Sequence, residues 1–322
     1  MHVEKRRICA TQNSSAFELY GMIAEAAGGS VEASRTFFRS DCIDRCIELF
    51  RKEPPILFAN PERSTVIMSD LHGDVGTFEK VLINYPLGNY AYAILGDSVD
   101  RGTQCTELLA AILACKLLDP ENVMVLRGDH ELPIGAVCPQ SFPKEFYEKL
   151  SDDDLLSKLY DDLFPALPVA LVIHRHFLVH GGIPKDAPSL EELERLPKIR
   201  CAEEDDYVSQ MLWKDSTAEL GCYNSRRGDG IYVIGRDITG SFLRKNHLDK
   251  IVSGHKHYPE GYKMTNKVLT LTTNHTCPGV QRQCIAILRP TGDLEVVDIS
   301  GSESKKVNCQ AKTEQADIAR WS

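Results

Sequence analysis

The chain has 322 residues, of which 43% are hydrophobic and 26% charged. This composition excludes disordered and fibrous classes and allows a substantial buried core. The formal net charge of -9 argues against a protein whose main task is to grip a nucleic-acid backbone or an anionic membrane surface. No apolar run approaches the roughly 18 to 20 residues that span a bilayer, and the first residues lack the apolar stretch of a secretory signal. We therefore expect a soluble, cytoplasmic protein of enzyme size, with no nucleic-acid or membrane partner.

Eleven cysteines are spread from Cys9 to Cys309 without a Cys-x-x-Cys pair. Several lie inside apolar runs, which favours buried free thiols and a reducing compartment. The sequence therefore predicts neither a disulfide framework nor a cysteine-ligated zinc site.

In chain order, weak periodicity over residues 1–36 predicts a helical lead-in. Helical spacing of apolar residues from Cys42 to Phe50 then predicts an amphipathic helix, ended by Pro54 and Pro55. Beyond it, short apolar strands alternate with helical stretches, as in layered α/β proteins. The predicted strands are 65–68, 92–95, 123–126, 169–173, 177–179, 250–252 and 268–272, with a helix at 105–117 and a β-hairpin from 285–288 and 294–299.

Five of the predicted strands are followed at once by polar residues, each group containing an Asp or a His. These groups are 69–74, 96–102, 127–131, 180–182 and 254–257. Because ligands of α/β sheets collect outside the carboxyl ends of strands, we expect the five groups to converge. Carboxylates mixed with imidazoles suit manganese, iron or zinc better than calcium. Each group alone is compatible with an ordinary turn, but the ordered set predicts a hydrolytic site for two metal ions.

The five groups resemble the motifs of the PPP family of serine/threonine protein phosphatases, within the calcineurin-like metallophosphoesterases. The chain carries a divergent set of them: Ser-Asp-Leu-His-Gly at 69–73, Gly-Asp-Ser-Val-Asp-Arg-Gly at 96–102, Gly-Asp-His-Glu at 128–131, His-Gly-Gly at 180–182 and His255. The resemblance implies an α/β calcineurin-like metallophosphoesterase fold, with a central two-sheet β-sandwich flanked by helices. It places the metallophosphatase catalytic domain at 37–300, between the helical lead-in at 1–36 and a polar C-terminal tail at 301–322.

The resemblance also implies roles for individual residues. Two divalent metal ions (manganese, iron or zinc) would be held by Asp70, His72, Asp97, Asp129, His180 and His255, with Asp97 bridging them. Phosphate would be bound by Arg101 and Arg227, although the spacing leaves Arg226 as an alternative. The implied reaction is hydrolysis of phosphoserine or phosphothreonine in a phosphoprotein, by direct attack of a metal-bridging hydroxide. His130, oriented by Asp100, would be the catalytic general acid for the leaving alkoxide.

Three departures from the family pattern bear on this hypothesis. Asp129 replaces the family's Asn, which adds negative charge, should raise the pKa of the bridging water and should slow turnover. The residues at 272–279 replace the family's Ser-Ala-Pro-Asn-Tyr-Cys-Gly loop, and 132–146 is also unlike the family, so phosphotyrosine remains an open substrate. The Gly-His-x-His form of 254–257 leaves His257 open as a ligand or phosphate contact.

Two other functions compete with a protein phosphatase that acts alone or with a regulatory subunit. One is hydrolysis of a small phosphoester or a dinucleotide polyphosphate on the same fold. The other is a weakly active scaffold that keeps the phosphatase fold. The long middle region and the Trp213 and Arg227 segments favour a protein phosphatase over the first alternative, and the full set of Asp and His residues argues against the second.

Overall fold

The computed structural model describes residues 14–137, 139–199, 206–225, 231–301 and 304–307. Helices lie at Ser14–Ala27 (α1), Val31–Arg39 (α2), Cys42–Lys52 (α3), Val75–Asn84 (α4), Cys105–Leu118 (α5), Phe142–Leu150 (α6), Asp153–Lys158 (α7), Phe164–Ala166 (α8), Leu190–Glu194 (α9), Asp206–Trp213 (α10) and Arg236–Lys245 (α11), with a π-helical turn at Leu159–Leu163.

Strands lie at Ile56–Ala59 (β1), Thr65–Met68 (β2), Ala91–Ile94 (β3), Val123–Val125 (β4), Ala170–Ile173 (β5), His176–Val179 (β6), Asp215–Ser216 (β7), Cys222–Asn224 (β8), Tyr232–Ile234 (β9), Lys250–Ser253 (β10), Tyr262–Thr265 (β11), Val268–Leu271 (β12), Cys284–Leu288 (β13), Leu294–Asp298 (β14) and Lys305–Val307 (β15).

Two six-stranded sheets form the centre of the molecule. The first sheet has the strand order β15-β14-β13-β2-β3-β4, and the second has the order β1-β5-β6-β10-β12-β11. Strands β2, β3 and β4 run parallel, and so do β6, β10 and β12. Parallel strands place their carboxyl ends at one edge, so the loops that follow them can meet there.

Apolar side chains from both sheets pack against each other, among them Ile67, Leu95, Leu178 and Leu269. The outer face of the first sheet is covered by α1 to α8, and the outer face of the second by α9 to α11. Helix α5 lies at the centre of the first helical layer and is buried around nearly its whole circumference, as its continuous apolar sequence requires. The architecture is the two-sheet β-sandwich flanked by helices that the family resemblance implies.

The predicted strands match the observed ones to within about one or two residues at each end. The structure adds edge strands that the sequence pattern did not reveal, including β1 and β11. It also pairs Lys305–Val307 with β14, so part of the segment expected as a polar tail extends the first sheet. Among the described residues, no helix is long and apolar enough to cross a membrane.

Candidate metal centre

The polar groups that follow β2, β3, β4, β6 and β10 meet at one edge of the sandwich, which we call the site edge. The first sheet supplies most of the carboxylates and the second supplies His180 and His255. Asp70, His72 and His180 have no measurable exposure, and Asp97, Asp129 and His255 are also buried. The structure thus brings together the six side chains that the sequence analysis predicts as metal ligands.

Asp97 lies at the middle of this cluster. One of its carboxylate oxygens is 3.3 Å from His72 Nε2, and the other is 3.4 Å from His180 Nε2. Asp70 Oδ1 is 3.9 Å from the same His72 nitrogen. Asp70, Asp97 and His180 each offer a ligand atom, and these atoms lie within 4.8 Å of one another, which is close enough to hold one cation.

Asp129 connects the two histidines of the second sheet. Its Oδ1 is 2.8 Å from His180 Nε2 and 2.9 Å from His255 Nδ1. These three residues form a second group whose ligand atoms lie within 4.8 Å of one another. The two groups share His180, whose Nε2 lies 3.4 Å from an oxygen of Asp97 in the first group, so the arrangement can hold two adjacent cations.

The imidazoles are oriented as metal ligands usually are. His72 Nδ1 donates to the carbonyl of Val99 at 2.7 Å, and His180 Nδ1 donates to the carbonyl of Leu95 at 2.9 Å. A carbonyl oxygen can only accept, so Nδ1 carries a proton in both rings and Nε2 is the nitrogen that faces the cluster, where its lone pair would be available to a cation.

Several buried ligand atoms have no hydrogen-bond partner among the described residues, namely Asp70 Oδ1, His72 Nε2 and His255 Nε2. Unpaired buried polar atoms are costly, and their convergence here, with mixed oxygen and nitrogen donors, fits divalent cations such as manganese, iron or zinc.

Electrostatics agree with this fit. Burial pushes the pKa of the Asp70, Asp97 and Asp129 carboxyls upward, but each pKa stays below its ordinary value because neighbouring histidines favour the charged form. Conversely, burial lowers the pKa of His180, but Asp97, Asp129 and Asp70 raise it to about 10. The three buried carboxylates therefore remain ionised, and positive charge beside them is needed to offset their negative charge.

The backbone at the site edge is strained. Asp70, His72, Asp97, Asp100, Arg101 and His255 all have positive φ, between 43° and 67°. Left-handed backbone is unfavourable for residues with a side chain and persists where the surroundings enforce it, often at functional sites. At Asp97 the carboxylate of Glu131 helps to hold this conformation by accepting hydrogen bonds from the backbone N–H groups of Asp97 at 2.9 Å and Ser98 at 2.8 Å.

Residue 254 must be a glycine because there is no space for a side chain at this position. A Cβ on Gly254 would collide with Ser69 Oγ and Asp70 Oδ2. The absence of that Cβ lets the backbone N–H of His255 donate to Asp70 Oδ2 at 2.9 Å. Gly254 therefore permits the contact through which the two sheets hold Asp70.

His130 and Asp100 form a dyad beside the cluster. His130 Nδ1 is 2.7 Å from Asp100 Oδ2, and Asp100 Oδ1 accepts from the backbone N–H groups of Ser141 and Phe142, each at 2.7 Å. Burial lowers the pKa of His130, but Asp97, Asp100 and Asp129 together raise it to about 9. The other ring nitrogen, Nε2, lies 3.2 Å from Arg101 Nη2.

Arg101 is exposed and lies at the mouth of the cluster. Its Nη1 is 3.3 Å from His257 Nδ1 and donates to Cys277 Sγ at 3.2 Å. The second predicted phosphate ligand, Arg227, and its alternative Arg226 lie outside the described residues.

Sequence reasoning left His257 open and missed Cys277 and Asn274. His257 Nε2 is 3.3 Å from Asp70 Oδ1. Asn274 donates through Nδ2 to the backbone carbonyl of Asp70 and accepts from Cys277 N at 2.9 Å, which ties the loop after β12 to the cluster. The sequence did hold one indication of their role. Both residues lie in the 272–279 loop, which replaces the loop that borders the site in the PPP family.

The sequence predicts buried free thiols, and the structure shows them at most of the described cysteines. Of the cysteines in the described residues, Cys42, Cys46, Cys105, Cys115 and Cys277 are buried free thiols, Cys284 is also buried, and Cys222 is free and exposed. Cys277 differs from the other buried thiols. Burial raises its pKa, but His257, His72 and Arg101 lower it to about 7.

Comparison with models of known protein families identifies the family of this chain. The sequence model of calcineurin-like phosphoesterases matches residues 64–259, more than half of the chain. The chain belongs to the calcineurin-like phosphoesterase family. The matched range contains all the predicted metal ligands, the His130–Asp100 dyad and Arg101.

Relatives within this family include phosphatases. A probable serine/threonine-protein phosphatase of Encephalitozoon cuniculi is 31% identical over 211 residues, which are 64% of this chain and 46% of that protein. The chain thus matches less than half of the length of this curated relative.

Two solved phosphatase structures share the fold. A protein serine/threonine phosphatase from Saccharomyces cerevisiae, with similarity to human phosphatase PP5, has a TM-score of 0.75 and 24% identity, covering 85% of this chain and 91% of that chain. A cold-active protein-tyrosine phosphatase from a psychrophilic Shewanella species has a TM-score of 0.59 and 16% identity, covering 81% and 84%. These matches confirm the fold predicted from the sequence.

Proposed function

We propose that this calcineurin-like phosphoesterase is a metal-dependent protein phosphatase that hydrolyses phosphoserine and phosphothreonine monoesters. One observation carries the proposal: the two oxygens of Asp97 face His72 on one side and His180 on the other within a buried cluster of ligand atoms, and an exposed arginine and a histidine–aspartate dyad lie beside it. The name of the Encephalitozoon cuniculi relative supports the substrate class.

The metal ligands divide into two sets around Asp97. Asp70 and His72 would hold the first ion, and Asp129, His180 and His255 the second, with one Asp97 oxygen directed to each side. When bound, two divalent cations supply a water molecule of lowered pKa and offset the negative charge of the phosphoryl oxygens.

Arg101 is the phosphate-binding residue in this proposal. Its guanidinium is exposed at the mouth of the cluster and presents several N–H donors in a plane, the geometry that suits phosphate oxygens. Its neighbours there are His130, His257 and Cys277 rather than a carboxylate, so no ion pair in the described residues neutralises it.

His130 is the proposed general acid. Asp100 fixes the ring through Nδ1, and Asp100 is itself held by two backbone N–H groups. This leaves Nε2 directed toward Arg101, where the leaving oxygen of a bound phosphoester would lie. Protonation of a leaving alkoxide by such a group typically contributes about 10²- to 10⁴-fold.

A direct assay tests the proposed function. Purified protein is stripped with a chelator, reloaded with manganese, and assayed on phosphoserine, phosphothreonine and phosphotyrosine peptides and on a dinucleotide polyphosphate. We expect manganese-dependent phosphate release from the phosphoserine and phosphothreonine peptides. Asp249→Asn, a change at a surface aspartate paired with Arg175, is the matched control and should retain full activity.

Two results would contradict the proposal. Metal-dependent cleavage of the dinucleotide polyphosphate alone would assign a small-molecule substrate. Absence of release from every substrate, with two ions bound per chain, would indicate the scaffold alternative.

A further inference from the structure

The outer side of the metal centre carries a thiol that the proposed mechanism does not use. Cys277 is 3% exposed. Its loop is fixed by Asn274, which accepts from the Cys277 N–H at 2.9 Å and from Thr276 Oγ1 at 3.2 Å while it donates to the Asp70 carbonyl. The sulfur is therefore held at a defined position beside the Asp70 backbone.

Cys277 faces ligand atoms of the first metal position. His72, His257 and Cys277 each offer one ligand atom, and these atoms lie within 4.8 Å of one another. His72 Nε2 is fully buried and has no hydrogen-bond partner among the described residues. The same is true of Asp70 Oδ1, which lies 3.3 Å from His257 Nε2.

The donor types on the two sides of this position differ. Asp70 and Asp97 are hard oxygen donors that suit manganese, whereas imidazole and thiolate are softer and favour zinc. Zinc accepts mixed sulfur, nitrogen and oxygen ligands in a four-coordinate site, with Zn–S distances of about 2.3 Å. The second position, formed by Asp129, His180 and His255, has no cysteine among the described residues near it.

We propose that Cys277 completes the first metal position beside Asp70, His72 and Asp97 and makes it a thiolate-bearing site that prefers zinc to manganese. This reverses the expectation from cysteine spacing alone, because the sulfur comes from a loop far from the other ligands in sequence. The inference rests on the metal centre of the proposed function, but it concerns which ion that centre takes.

Arg101 connects this thiol to phosphate binding. Its Nη1 donates to Cys277 Sγ at 3.2 Å, and a thiolate that ligates a cation can still accept that bond. The ion at the first position would thereby help to place the phosphate-binding guanidinium.

Cobalt substitution tests the proposal without relying on catalysis. Metal-free full-length protein is titrated with Co²⁺, bound cobalt is measured by atomic absorption, and the near-ultraviolet thiolate-to-cobalt charge-transfer band is recorded. We expect the band in the wild-type protein and in Cys222→Ser, which removes an exposed thiol. Cys277→Ser should lose the band, and its zinc affinity should fall on the order of 10- to 100-fold while its manganese affinity changes little.

Zinc X-ray absorption on the wild-type protein gives a second measurement that does not depend on how the variant folds. It should show one sulfur at about 2.3 Å from zinc. An unchanged band in Cys277→Ser, or two bound ions without any sulfur ligand, would overturn the proposal. Such a result would leave the phosphatase function standing, whereas a sulfur-ligated centre that releases no phosphate would overturn the function and keep this inference.

Discussion

Strand β6 has a histidine at its start and another directly after its end, and the two imidazoles lie in opposite electrostatic environments. Burial and the nearby Lys250 lower the pKa of His176 to about 4. At the site edge, burial also opposes the charge on His180, but Asp97, Asp129 and Asp70 raise its pKa to about 10. The neutral imidazole is therefore favoured at the start of the strand, whereas the carboxylates beyond its end favour positive charge, which a bound cation would supply next to a neutral His180.

The difference comes from what surrounds each end of the strand. His176 lies next to Lys250 of β10, and the groups that face it also include Asp249 and His174. His180 lies among three buried carboxylates whose negative charge is concentrated at the site edge. The sandwich thus concentrates buried carboxylates at the site edge, where cations and phosphate would bind.

Removing the central carboxylate should have the largest effect. In Asp97→Ala both proposed ion positions lose a ligand, so we expect phosphate release to fall by more than roughly 10⁴-fold, the upper range for loss of a single acid–base group. Metal content per chain, measured beside activity, should fall with it. Near-normal metal content and activity in this variant would refute the assignment of Asp97 as the shared ligand.

Changing the general acid should have the next largest effect. His130→Asn should lower turnover by about 10²- to 10⁴-fold, while metal content stays at the wild-type level because His130 is not among the six proposed ligands. Asp100→Asn should show a smaller loss of the same kind, since it acts by orienting His130. A substrate with a good leaving group should restore much of the rate, because its leaving oxygen needs no proton. Equal losses of turnover on all substrates would contradict the role of His130 as general acid.

Replacing the extra carboxylate should have a smaller effect, in the opposite direction. Asp129→Asn removes one negative charge from the second position, which should favour an ionised water molecule and reduce repulsion of phosphate. We expect full metal occupancy and a turnover higher by up to about tenfold, which corresponds to 1.36 kcal/mol of activation free energy. An equal or lower rate at full occupancy would contradict this account.

Substitution of His176, which lies at the end of β6 away from the site edge, should have the smallest effect. It should leave activity unaltered and change only how the free energy of unfolding depends on pH below neutrality. The pKa of His176 is about 4 in the folded protein, below the ordinary value of 6.5. The unfolded chain therefore binds the proton more tightly, and the free energy of unfolding falls as the pH decreases from 6.5 to 4.

The variant His176→Gln isolates this contribution. Between pH 7 and pH 5 the free energy of unfolding should fall by about 1 kcal/mol less in this variant than in the wild-type protein. This value is reduced for solvent screening. Urea unfolding at the two pH values measures it, with activity at pH 7 as the control. An equal loss in both proteins would show that His176 does not titrate in this range.

The central strands could be predicted because their sequences match their environment. Thr65–Met68 contains the apolar run Val66, Ile67 and Met68 and is buried along its whole length. Two edge strands were missed because β1 directly follows Pro54 and Pro55 and β11 mixes polar with apolar residues after a polar loop, so no periodicity separates them from their surroundings.

The candidate site could be predicted as far as its motifs extend. Asp70, His72, Asp97 and His130 lie in short motifs directly after strands, so their convergence follows from sheet topology. Cys277 could not be predicted, because its contact with Arg101 joins residues 176 positions apart and depends on how the loop after β12 folds over the site edge. His257 remained open because a Gly-His-x-His pattern does not fix the direction of the second ring.

Anomalous diffraction from crystals grown with manganese would locate the bound ions themselves. We expect two peaks at the site edge, one within coordination distance of Asp70, His72 and Asp97, and the other within coordination distance of Asp97, Asp129, His180 and His255. A single peak, or peaks that do not contact Asp97, would contradict a two-ion centre shared by the two sheets.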